Sequence, residues 1–178
     1  MIPVSLKTDI RQILATTMPA FAHEKLEMFV VPDYDERDQR DWNRNATVDL
    51  SQVVGMTHSD YGGKTWLELI GGPSGEPMAH LSRVDRVLWD GQRNPGYYLG
   101  ADIKDHWSFL KYEGKLYVST GHHRTVFGRF LLELNGLPPI VSGVDLVEVF
   151  PHKPAPVPKD TPRGLLAFLR GLFTHPER

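Results

Sequence analysis

The stretch "KLYVSTGHHRTVFGRFLLELNG", Lys115 to Gly136, decides how this chain folds. It opens with a β-prone run, breaks at Gly121, and continues with Val126, Phe127, Phe130, Leu131 and Leu134 at helical spacing. Asn135-Gly136 then supplies a left-handed stop. Extended backwards to "HWSFLKYEGKLYVSTGHHR", the stretch gains a second β-prone run across Glu113-Gly114, the signature of a hairpin. Forwards, Pro138-Pro139 precede "IVSGVDLVEVF", a further strand. The unit reads as ββαβ with the last strand returning beside the hairpin, which points to an α+β fold with a mixed sheet and helices.

The switch from hairpin to helix is also where chemistry is concentrated. A helix start leaves backbone N–H groups unpaired and presents the positive end of the helix dipole, so an anion is the favoured occupant. Gly121 permits a positive φ and close approach of a ligand, and Arg124 offers a planar fork for two phosphate oxygens. His122 and His123 add donors whose charge changes near neutral pH, and Thr125 either caps the helix or donates to phosphate. The expected phosphate-binding set is therefore Gly121, His123, Arg124 and Thr125. The opposing expectation makes Gly121 a plain turn residue and packs the histidines and Arg124 against the sheet.

Elsewhere the signals are weaker. Leu6, Ile10, Ile13 and Leu14 suggest a short amphipathic helix behind a Ser5 cap. "KLEMFVVP" looks like a strand closed by Pro32. "DYDERDQRDWNRN", residues 33–45, has no apolar face and reads as an exposed loop or frayed helix. Its carboxylates, Asp33, Asp35, Glu36 and Asp38, alternate with Arg37 and Arg40, a self-neutralising surface rather than a cation site. Gly63-Lys64-Thr65 resembles the end of a phosphate-binding loop but fails twice: His58 stands where the P-loop glycine belongs, and "TWLELI" reads as a strand where a helix is required. "HLSRVDRVLWDG" keeps helical spacing at Leu81, Val84 and Leu88.

Composition narrows the function classes. With 20 Lys+Arg against 22 Asp+Glu, the net charge of -2 supplies no global basic field for nucleic acid or acidic membranes, so any anion site is local. The absence of cysteine excludes disulfides, thiolate metal sites and cysteine chemistry. No apolar run approaches the roughly 20 residues of a membrane span, and the first residues lack a signal-peptide core, so a soluble cytoplasmic protein is expected.

The segment "GKLYVSTGHHRTVFGRFL…PPIVSGVDLVEVF" resembles the core of the ParB/sulfiredoxin superfamily over Trp107 to Phe150. Gly121 matches the motif glycine, His123 and Arg124 match the His-Arg pair of sulfiredoxins, and Gly128 falls where a small residue is usual. His122 takes the place of the sulfiredoxin cysteine, which excludes reduction of sulfinic acids by that chemistry. The resemblance implies a ParB/sulfiredoxin-like domain over residues 1–150 that binds ATP or another nucleotide, or DNA, at the turn. The helix-turn-helix domain of partition-type members, on the order of 100 further residues, has no room after this core, which points to small members. These include ParB-like nucleases and the plasmid fertility-inhibition proteins that block DNA transfer through conjugative or type IV secretion channels. The implied activities are DNase and ATPase, with His123, Arg124 and His122 as catalytic candidates and Asp102 and Asp105 as candidate ligands for Mg²⁺ or Mn²⁺. The alternative is a non-catalytic inhibitor gated by nucleotide or DNA that acts through a protein partner.

Beyond this core, residues 151–162 read as a proline-rich linker and 163–178 as an amphipathic helix. Leu165, Leu166, Phe168, Leu169, Leu172 and Phe173 share one face of that helix, with Arg163 and Arg170 opposite. It is expected to dock on the domain, enter a partner's groove or lie on a membrane surface, the last placing the protein peripherally at the inner membrane.

Overall fold

The computed structural model describes residues 6–30, 38–72 and 84–152. Their elements follow in the order α1 (Ile10–Leu14), β1 (Glu27–Met28), β2 (Gln39–Asp49), β3 (Val53–Met56), α2 (Trp66–Ile70), α3 (Val84–Arg93), α4 (Gly96–Leu99), β4 (Ser108–Tyr112), β5 (Lys115–Thr120), α5 (His122–Leu134) and β6 (Ile140–Phe150). One mixed sheet has the strand order β1-β3-β5-β4-β6-β2. β4 and β5 form the expected antiparallel hairpin, and β6 returns parallel to β4. The turn residues Glu113 (φ 48°) and Gly114 (φ 80°) are both left-handed, the backbone a two-residue hairpin requires. The ββαβ unit thus stands, as a mixed six-stranded sheet with interspersed helices.

The sheet also recruits a strand that the sequence conceals. Residues 39–45, part of the stretch read as loop or frayed helix, belong with residues 46–49 to the 11-residue β2, antiparallel to β6 from Gln39↔Phe150 to Asp49↔Ile140. Only Ala46 and Val48 of this strand reach the core, so no apolar alternation marks its first half. Its charged residues suit an edge position, where they discourage pairing with another chain. Residues 33–37 lie outside the described residues, as do Ser5, Pro32, 153–178 and the linker and amphipathic tail expected there. The described residues of "KLEMFVVP" contribute the two-residue β1.

"TWLELI" is corrected in the other direction. It forms α2, started by a capping box in which Glu68 N–H donates to Thr65 Oγ1 (3.1 Å) and Thr65 N–H donates to Glu68 Oε2 (2.6 Å). Gly71 closes it at φ 85°. Gly63-Lys64-Thr65 therefore does lead into a helix, but the P-loop glycine is still replaced by His58, and the Thr65 hydroxyl is committed to the cap. α1 is likewise capped by Asp9, which accepts from Gln12 N–H (3.1 Å), rather than by Ser5. The helix expected around Val84 and Leu88 is α3.

α5 is the centre of the core. Val126, Phe127, Phe130 and Leu131 have no exposed surface, and they join Ile10, Leu26, Leu50, Trp66, Leu69 and Phe109 in one cluster. Each fully buried Phe contributes roughly 1.5–3 kcal/mol. Two glycines let neighbours approach closely: a Cβ at Gly128 would lie 2.9 Å from Tyr98 of α4, and one at Gly91 would overlap the Phe127 ring. These contacts fix α3 and α4 against α5, which places them beside its first turn. Among the described residues no helix is long and apolar enough to cross a membrane.

Candidate functional site

The turn between β5 and α5 is built around Trp107. Gly121 is the N-cap of α5 at φ 77°, ψ 25°, and as glycine it supplies no side-chain cap to the helix start. A Cβ at Gly121 would come within 2.6 Å of Trp107 Cδ1, so both backbone conformation and packing demand glycine there. Fully buried Trp107 donates its Nε1–H to Thr125 Oγ1 (2.9 Å), and the Thr125 hydroxyl donates to the Gly121 carbonyl (3.2 Å). Thr125 thus spends its hydroxyl inside the fold.

Arg124 lies on one flank. Its Nη1 donates to Tyr97 Oη (2.7 Å) and to the Asp105 carbonyl (2.9 Å), its Nη2 donates to the His106 carbonyl, and the guanidinium sits 5.4 Å from the Trp107 ring centre. His106 is in the left-handed region at φ 55°, so Arg124 clamps a strained loop. Three bonds leave Nε–H and one Nη2 hydrogen of the five guanidinium donors for a further acceptor. The guanidinium also forms part of the wall of a cleft of about 510 Å³ between α3, α4 and the start of α5, shared with Trp89, Arg93, Asn94 and Tyr97.

The two histidines face a different neighbourhood, and neither lines that cleft. The buried His122 ring packs edge-on to His58 (5.6 Å between centres) and tilted against Tyr61 (5.4 Å). Its Nε2 is buried with no hydrogen-bond partner among the described residues. Burial pushes the imidazole pKa down to about 4, helped by the neighbouring His58 and His123 and opposed by a hydrogen bond with the Val118 backbone. His122 is therefore neutral at neutral pH. Half-buried His123 packs edge-on to Tyr61 (5.7 Å).

Asp102 and Asp105 are exposed, and their backbone carbonyls are used: Lys104 Nζ donates to that of Asp102 (3.1 Å), and Arg124 to that of Asp105. Lys104 Nζ also donates to the carbonyls of Gly100 (2.7 Å) and Ser142 (2.6 Å), which ties this loop to β6. Among the described residues no three His, Asp or Glu side chains assemble into a metal site. Two exposed carboxylates without a third ligand do not make up a resident Mg²⁺ or Mn²⁺ site among the described residues. Sequence reasoning placed Gly121, His122, His123, Arg124 and Thr125 at one turn, as the fold does. It missed His58, Tyr61, Trp89, Arg93 and Tyr97. Of these only Trp89 and Arg93 carried a local signal, an aromatic and a cation four residues apart on one helix face.

No family model, curated protein or solved structure matches this chain.

Proposed function

We propose that this chain is a ParB-like protein that binds the phosphate of a nucleotide or of DNA at the start of α5. The observation that carries the reading is the coincidence of an uncapped helix start, at a glycine with positive φ, with a guanidinium that still has donors to offer on the wall of an adjoining cleft. A phosphate there meets N–H groups of the first turn, the positive end of the α5 dipole and the permanent charge of Arg124. Tyr97, on the same cleft wall, accepts a hydrogen bond from the Arg124 fork.

Two uses of such a site are distinguishable. In a hydrolase, His123 is the group to exchange protons with the attacking water or the leaving oxygen, because buried, neutral His122 is a poor acid at neutral pH. In a gated inhibitor of conjugative or type IV secretion DNA transfer, binding alone suffices and a partner protein reads the bound state. The separation of Arg124 from the histidines favours the second use. The test pairs titration calorimetry with ATP and a short oligonucleotide against assays of DNA cleavage and phosphate release, with and without Mg²⁺ or Mn²⁺, on the parent, Arg124→Gln and His123→Ala. Binding weakened at least tenfold by Arg124→Gln in a folded protein supports the site. Turnover lost in His123→Ala supports the hydrolase, and binding without turnover supports the inhibitor. A parent that binds neither ligand contradicts the proposal.

A further inference from the structure

The cleft beside Arg124 has a feature that phosphate binding does not need. Trp89 of α3 is 55% exposed, although the core contacts of α3 are already made by Leu88 and by Gly91 against Phe127. Its ring is oriented by Arg93, one helical turn later, whose guanidinium carbon stands 4.2 Å from the ring centre. Trp89 also borders a second, smaller hollow with Asp85 and Gln92, so it rises as a ridge between two depressions. A large exposed ring held in place by a guanidinium, on the rim of a cavity with an arginine at its other side, is the composition of a stacking platform for nucleobases.

We propose that this cleft takes an unpaired nucleobase, stacked on the Trp89–Arg93 pair, with the attached phosphate reaching Arg124. This rests on the phosphate reading above and specifies its ligand class. The cavity of about 510 Å³ lies within the roughly 300–1,000 Å³ of small-molecule sites. Asp90 and Asn94 on the same wall supply an acceptor carboxylate and a mixed donor and acceptor for the base edge. The aromatic ring sets the orientation, with the base at Trp89 of α3 and the phosphate at Arg124 of α5. Free nucleotides and single-stranded DNA share this chemistry.

The experiment is fluorescence anisotropy with a labelled single-stranded oligonucleotide and a labelled abasic phosphodiester of equal length, competed by ATP and by tripolyphosphate. It uses the full chain, Trp89→Ala, Trp89→Phe and Arg124→Gln, each checked for an unchanged circular dichroism spectrum. The expected result is a base-dependent gain of about tenfold in the parent, lost in Trp89→Ala, kept in Trp89→Phe, with abasic binding unchanged by either. Arg124→Gln weakens both ligands. Preferential displacement by ATP assigns the site to free nucleotide, and resistance to ATP assigns it to the single strand; both support the platform. Equal parent affinity for abasic and base-bearing ligands, or equal weakening of both by Trp89→Ala, overturns the platform and leaves the phosphate site standing. Binding of none of the four ligands overturns both.

Discussion

The two flanks of the α5 start, Arg124 and His122, stand two residues apart within one helical turn, and they solve opposite problems. Arg124 keeps a permanent charge at the mouth of a cleft by tying its fork to Tyr97 and two loop carbonyls. His122 is sunk among His58, Tyr61 and β5, and burial keeps it uncharged. The comparison teaches that a shared sequence motif does not imply a shared environment. On the proposed reading a ligand's negative charge is met on the arginine flank, while the buried imidazole of the histidine flank stays uncharged until the pH falls toward about 4.

The comparison breaks most completely at Gly121. Gly121→Val puts a β-branched residue at φ 77° and drives its Cβ into Trp107, so both flanks lose their frame. A loss of about 2–5 kcal/mol in urea denaturation is expected from left-handed strain plus overpacking. Acid breaks the histidine flank alone. The folded pKa of His122 lies below its unfolded value, so the unfolded chain binds the proton more readily. The stabilisation is present in full above the unfolded pKa and disappears as pH falls toward about 4. Between pH 7.5 and 5 this amounts to about 2 kcal/mol, which His122→Leu should largely remove from the pH dependence.

Two smaller changes sharpen the contrast. Thr125→Val leaves the buried Trp107 Nε1–H without its acceptor and should cost about 1–2 kcal/mol, with little change in ligand affinity measured by calorimetry. Arg124→Gln removes charge-assisted bonds from a half-exposed site and should cost about 1 kcal/mol of stability by urea denaturation. Its binding loss, at least tenfold, should be far larger in proportion. The arginine flank is thus the one whose loss is felt by ligand more than by fold.

Much of this arrangement was legible locally. The hairpin, α5 and β6 announce themselves through Glu113-Gly114, the apolar spacing from Val126 to Leu134, and Asn135-Gly136, because each signal acts within a few residues. α2 was misread as a strand, because five apolar-rich residues suit strand or helix equally and the deciding signal, the Thr65-x-x-Glu68 capping box closed by Gly71, was passed over. β2 was not legible, since its identity comes from pairing with residues about a hundred positions away and most of it faces water. The site divides in the same way. Gly121 to Thr125 are contiguous, whereas the delivery of His58 and Tyr61 to one flank, and of Trp89 and Tyr97 to the other, depends on how α2, α3 and α4 pack against α5.

The most direct test is an amide-resolved NMR titration of the parent protein with ATP and with a short single-stranded oligonucleotide. The account predicts that the largest shifts fall on the backbone N–H groups of Gly121, His122, His123 and Arg124, with the Trp89 indole N–H following them. Saturation with no shifts at these amides, or shifts centred on another surface, would contradict a phosphate site at the start of α5.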